Sequence, residues 1–229
     1  MGSMSNAIEF LGGPRFEVRR RIGAGGFGIV YEVRDHERAA DVAVKTLARL
    51  EPAALYRFKR EFRALADVRH KNLVALYELV SEGRDWLLVM ELVRGVDCLR
   101  WVLGDDGVSK DSSTDPAPDS TVRRGNTPLG TKAHKVDYAR LRDALAQLSE
   151  GLIALHAAGK LHRDVKPSNV LVEQATARVV LVDFGISTEL EDHTAKNSDS
   201  SLIAGTPEYM APEQGTGDNL TEAADWYGV

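Results

Sequence analysis

The chain has 229 residues, a net charge of −5, 43% hydrophobic and 28% charged residues, and one cysteine, Cys98. That length suits one large domain or two small ones, and the apolar fraction supports a sizeable core and excludes global disorder. The scattered basic residues argue against nucleic acid as the main partner, no apolar run approaches the roughly 20 residues of a membrane span, and a lone cysteine excludes an internal disulfide framework and fits a reducing, cytoplasmic compartment.

In chain order, Phe16, Val18, Arg20 and Ile22 alternate as in a strand. The glycine-rich Gly23-Ala24-Gly25-Gly26-Phe27-Gly28 follows, then the β-branched and aromatic Ile29-Val30-Tyr31-Glu32-Val33. A dinucleotide-binding glycine loop opens a helix; here the flanks predict two strands, hence a glycine hairpin with no Cβ atoms to hold its backbone away from phosphate oxygens. In Val42-Ala43-Val44-Lys45 the valines share one face of a strand, and Ala43 and Lys45 the other. Pro52 suits a first helical turn, and Leu55, Phe58, Phe62 and Leu65 form a helical apolar stripe. Glu61 lies on that stripe and needs a cation, with Arg57 and Lys59 as candidates at the surface. Leu73–Val80 and Trp86–Val89 read as two further strands.

Residues 104–135 are polar, rich in Asp, Ser, Thr, Gly and Pro and without periodicity, which predicts a disordered surface insertion. A helix capped by Asp137 and ended by Gly159 carries Tyr138, Leu141, Leu145, Leu148, Leu152 and Leu155 on one face. It delivers His162-Arg163-Asp164-Val165-Lys166-Pro167-Ser168-Asn169, whose acid, ammonium and amide groups suit proton transfer and metal-bound phosphate. A buried strand, Val179–Val182, ends in Asp183-Phe184-Gly185, and a polar stretch leads to Gly205-Thr206-Pro207-Glu208-Tyr209-Met210-Ala211-Pro212-Glu213.

The order His-Arg-Asp-x-Lys-x-x-Asn matches the protein kinase catalytic loop, and the glycine loop, the Val-Ala-Val-Lys strand, Asp-Phe-Gly and the Gly205–Glu213 segment occur in that family's order. From Phe16 to Gly228, apart from the insertion, the chain resembles a bacterial eukaryotic-like serine/threonine protein kinase. The resemblance implies an α+β bilobal fold. A first lobe over 14–95 would carry a small antiparallel five-stranded sheet and one helix. A mainly helical second lobe over 96–229 would be truncated, because the family's large helix begins only at Asp225. It further implies regulatory signalling by transfer of the ATP γ-phosphoryl group to Ser/Thr hydroxyls of a protein substrate, with Asp164 taking the hydroxyl proton and Lys166 offsetting charge on the phosphoryl group. Asn169 and Asp183 would hold Mg²⁺, with Mn²⁺ as an alternative. Lys45, paired with Glu61, would position the phosphates. Ile22, Gly23, Gly25, Gly28, Val30, Ala43, Met90 and Leu171 would surround the nucleotide, with the backbone of Glu91 and Val93 at the adenine edge. A phosphate on the segment holding Thr194, Ser198, Ser200, Ser201 and Thr206 would pair with Arg163. Ending at Val229 would leave part of the Tyr138–Leu155 stripe uncovered, so self-association or support from downstream domains is expected. The alternative reading is an ATP-binding regulatory or scaffold module without turnover.

Overall fold

The structure, a computed structural model, describes residues 10, 12–25, 28–47, 52–82, 85–104, 135–184, 207–216 and 220–229. The insertion expected at 104–135 lies, but for its two end residues, outside the described residues, as do Thr194, Ser198, Ser200, Ser201 and Thr206.

Five antiparallel strands form the first sheet: β1 (Phe16–Gly25), β2 (Gly28–Asp35), β3 (Ala40–Leu47), β4 (Leu76–Glu82) and β5 (Asp85–Glu91), in the order β1-β2-β3-β5-β4. This is the expected sheet. Its alternation divides the side chains between two layers. Val42 and Val44 join Phe16, Ile29, Tyr31, Val33, Leu87 and Val89 on one face, while Ala43 and Leu47 join Phe58, Phe62 and Leu65 of helix α1 (Pro52–Ala66) on the other.

One strand boundary differs from expectation. The run expected to begin at Leu73 enters the sheet only at Leu76. Before that, Leu73 bridges Leu181 in parallel, Val74 N–H donates to the Leu181 carbonyl (3.0 Å), and Leu181 N–H donates to the Asn72 carbonyl (2.9 Å). The segment thus satisfies its backbone against the second sheet before joining the first.

That second sheet has three strands, β6 (Gly95–Asp97), β7 (Val170–Glu173) and β8 (Val179–Leu181), in the order β6-β7-β8. Helix α2 (Cys98–Val102) follows β6, and helix α3 (Tyr138–Ala157) packs on β8. Asp137 caps α3, its side chain accepting from Ala139 N–H (3.0 Å) and Arg140 N–H (3.1 Å). Gly159, at φ +68°, ends it with its N–H on the His156 carbonyl (2.8 Å). Two short helices, α4 (Pro212–Thr216) and α5 (Glu222–Tyr227), complete the described chain.

The α3 stripe is covered over its second half, while Tyr138 is exposed and Leu141 and Leu145 are half-buried. Leu148, Leu152 and Leu155 are buried in the core that runs from α1 through β7 and β8 to Phe184. At Gly151 a Cβ would stand 3.0 Å from the Asn72 carbonyl oxygen, so α3 closes directly onto the Asn72–Leu73 segment. Tyr138 at the helix start and Ile153 on another face remain exposed.

Candidate active site

The residues of the His162–Asn169 loop, expected to be the catalytic loop, are locked together by side-chain hydrogen bonds. Asn169, on a single 3-10 turn (Pro167–Asn169), donates through Nδ2 to both the backbone carbonyl (2.8 Å) and Oδ2 (2.8 Å) of Asp164. Lys166 Nζ lies 2.9 Å from the same Oδ2. Asp164 is thus held by an amide and an ammonium on one oxygen, which fixes the orientation of its carboxylate.

The loop is fastened from below by a residue that the sequence flagged only as a helix start. Asp225, 1% exposed on α5, accepts from His162 N–H (2.7 Å) and Arg163 N–H (2.6 Å), and its Oδ2 lies 2.8 Å from His156 Nε2. Arg163 holds φ +65°, a conformation that a side-chain-bearing residue keeps only where its surroundings impose it. Gln214 of α4 adds a hydrogen bond from Nε2 to the Arg163 carbonyl (2.8 Å). Gly228 lets the chain end of α5 approach: a Cβ there would stand 2.4 Å from the Val165 carbonyl oxygen.

His162 is fully enclosed. Its Nε2 donates to the Val182 carbonyl (3.1 Å), Nδ1 accepts from Asp164 N–H (3.3 Å), and its ring lies 5.6 Å from that of Phe184. That arrangement uses the neutral imidazole. Burial pushes the His162 pKa below its ordinary value, against the opposing pull of the Asp225 carboxylate.

Above the loop, a cleft of about 230 Å³ opens between the two sheets. Ile22, Gly23, Val30, Ala43, Met90 and Glu91 line it from the first sheet, Val93 from the segment that follows β5, and Leu171, Asn169 and Asp183 from below. Val74, Ser168 and Val182 line it as well and were not anticipated. Lys45, with Met90 and Asp183, borders a smaller inner pocket of about 10 Å³, room for about one water. Gly25 and Gly28 pair across the tip of the β1–β2 hairpin, while Gly26 and Phe27 lie outside the described residues. Gly28, at φ +133°, packs so tightly that a Cβ would meet the Thr46 carbonyl oxygen at 1.8 Å. The N–H of Glu91 donates to the Ala75 carbonyl (2.8 Å) and is thus already engaged within the protein.

The expected Lys45–Glu61 ion pair is not formed. Lys45, only 4% exposed, is ion-paired with Asp183 instead, and Asp183 holds φ +64°. Both carboxylate oxygens of Glu61 accept from Lys160 Nζ, each at 3.0 Å. The physical reason is competition: Lys160, just after Gly159, reaches the α1 carboxylate, and the buried Lys45 takes the acid that lies across the inner pocket.

Asn169 and Asp183 fit a hard cation. Both offer oxygen donors at one side of the cleft, and Asn169 Oδ1 is left over once Nδ2 serves Asp164. Among the described residues no group of three or more His, Cys, Asp and Glu side chains is arranged to cage a metal. A cation bound here would therefore complete its shell with ligand oxygens and water, the habit of Mg²⁺ at phosphates.

A hairpin of glycines over a cleft, a buried lysine across from an aspartate, and an Asp–Lys–Asn loop define a phosphate-handling catalytic domain. The chain belongs to the protein kinase domain family, which matches residues 16–229. Among its relatives are serine/threonine-protein kinase Pkn1 of Myxococcus xanthus, 31% identical over 93% of this chain and 27% of the relative, and serine/threonine-protein kinase PknA of Mycobacterium tuberculosis, 31% identical over 94% and 44%. Serine/threonine-protein kinase PkaA of Streptomyces coelicolor is 32% identical over 95% of this chain and 37% of its own. The chain spans less than half the length of these relatives. No helix among the described residues is long and apolar enough to cross a membrane.

Proposed function

We propose that the protein is a cytoplasmic serine/threonine protein kinase of bacterial type that uses Mg²⁺ and ATP to phosphorylate hydroxyl groups of protein substrates. The observation that carries this reading is the hydrogen-bonded Asp164–Lys166–Asn169 cluster, whose Asn169 lines the cleft together with Asp183. The names of the relatives, serine/threonine-protein kinases, point to the same chemistry.

When bound, Mg²⁺–ATP supplies the γ-phosphoryl group and the charge that neutralises its oxygens. The chain's own residues do the rest. Asp164, fixed through Oδ2, orients the acceptor hydroxyl and takes its proton. Lys166, already beside that oxygen, offsets negative charge that grows toward the transition state. Asn169 and Asp183 hold the metal, and Lys45 holds the phosphates. Ile22, Val30, Ala43 and Leu171 enclose a planar base, and Gly23 at the edge of β1 lets the backbone approach phosphate.

The test is Mg²⁺-dependent nucleotide binding, measured calorimetrically. Asp183→Ala is expected to abolish most of the gain in ATP affinity that Mg²⁺ gives the parent, because the cation loses a carboxylate ligand. Equal Mg²⁺ enhancement in parent and variant would contradict the metal assignment.

A further inference from the structure

Arg94 lies on the linker between the two sheets, next to the cleft. β5 ends at Glu91 and β6 begins at Gly95, and Val93 between them lines the cleft. The backbone of Val93 makes no hydrogen bond among the described residues. The next side chain ties this linker to the roof of the cleft: Arg94 Nη2 donates to Glu32 Oε1 (2.8 Å) and to Asp41 Oδ2 (2.8 Å). Both acids sit on strands that form that roof. Glu32 follows Val30 by two residues on the same face of β2 and pairs with Ala43, while Asp41 precedes Ala43 by two on β3. Glu32 is 8% exposed, and its other oxygen accepts from Arg20 Nε of β1 (2.9 Å). The hydrogen bond from Arg94 holds the Glu32 carboxyl below its ordinary pKa, against the opposing effect of burial.

Val93 lies beyond the strand pairing that ends at Glu91, so that pairing does not fix its distance from Val30 and Ala43. One guanidinium nitrogen shared by carboxylates on two neighbouring strands spans the gap. It outweighs an isolated surface pair, because Glu32 is kept from water and a second acid holds the same nitrogen. We propose that Arg94 is a positioning residue for the nucleotide: by clasping the linker to Glu32 and Asp41, it sets the gap between Val93 and the Val30–Ala43 roof into which the base fits. The inference rests on the nucleotide reading of the cleft given above. Phosphates play no part in it, so the clasp acts on base and ribose alone. Its loss makes the apparent affinity equal to the intrinsic affinity reduced by the fraction of molecules whose linker still stands in place.

The experiment measures binding of adenosine, which carries no phosphate charge, to the full chain by calorimetry. It is run in low salt and in about 1 M NaCl, where charges are screened beyond roughly 3 Å. Arg94→Met is expected to weaken adenosine binding by roughly 3–10-fold in low salt, the scale of two ion pairs that share one cation. In high salt the ratio of parent to variant affinity should shrink toward one. In a Glu32→Gln, Asp41→Asn background, Arg94→Met should have no further effect. A merely structural arginine would lower the melting temperature and leave adenosine affinity equal in parent and variant, and that result overturns the proposal. A loss that high salt leaves unchanged, or that persists without both acids, overturns it as well. If the Met variant does not fold, Arg94→Gln carries the same expectations. A parent that binds neither adenosine nor Mg²⁺–ATP would instead refute the nucleotide reading of the cleft, and the role of the clasp with it.

Discussion

Asp225 is a buried carboxylate whose partners are two backbone N–H groups of the catalytic loop and the His156 ring. Hydrogen bonds to charged groups are each worth about 1.5–3 kcal/mol, and an N–H left buried without an acceptor costs a similar amount. Asp225→Asn retains the shape but turns one acceptor into a donor facing donors. It is expected to lose roughly 2–4 kcal/mol in chemical denaturation, and a loss under about 0.5 kcal/mol would show that the loop is not anchored there. His162 gives a pH signature. Its folded pKa is depressed by burial, while the unfolded chain takes the proton near the ordinary value of 6.5. Below that value the unfolded state binds more protons, so this contribution to stability is complete above about pH 6.5 and is lost as pH falls toward the depressed folded value. The slope for one proton is at most about 1.4 kcal/mol per pH unit. Denaturation midpoints of the parent should therefore fall between pH 7 and 5 more steeply than those of His162→Gln, and equal slopes would contradict a neutral, enclosed imidazole.

The elements that the sequence made legible are those whose pattern is local. The alternation in Val42–Lys45 placed the valines in one layer and Ala43 and Lys45 toward the cleft side, and Asp137 and Gly159 bounded α3 as their chemistry requires. What was not legible depends on distant partners. Leu73–Ala75 is apolar enough for a strand, but Leu181 captures its start. Glu61 was recognisable as an inward acid, yet nothing local distinguishes Lys160 from Lys45 as its partner. Asp225 could have been suspected, as an acid next to Trp226 on a short helix with no cation at helical spacing. The closeness of α5 to the catalytic loop gives a test at this scale. Gly228→Ala places a methyl 2.4 Å from the Val165 carbonyl oxygen, where backbone must shift. Overpacking of this kind costs about 1–3 kcal/mol, so the variant should melt lower and transfer phosphate more slowly. Unchanged melting and rate would mean that α5 does not bear on the loop.

At the scale of the molecule, one apolar core runs from α1 under the first sheet to β7, β8 and α3, and the cleft lies where the two sheets face each other. The glycine hairpin and Lys45 sit on the first sheet, and Asp164, Lys166 and Asn169 below it, so on the proposed reading phosphate held above would meet a hydroxyl held below. Membership of the protein kinase domain family follows from the match over residues 16–229, whereas the proposed acceptor chemistry rests on the role assigned to Asp164. The most direct measurement is single-turnover transfer of phosphate from Mg²⁺–ATP to a protein acceptor by the parent and by Asp164→Asn, with ATP affinity recorded for both. The account predicts near-equal ATP affinity and a rate lowered by roughly 10²–10⁴-fold in the variant, the range for loss of a positioned general base. Transfer at the parental rate by Asp164→Asn would contradict it.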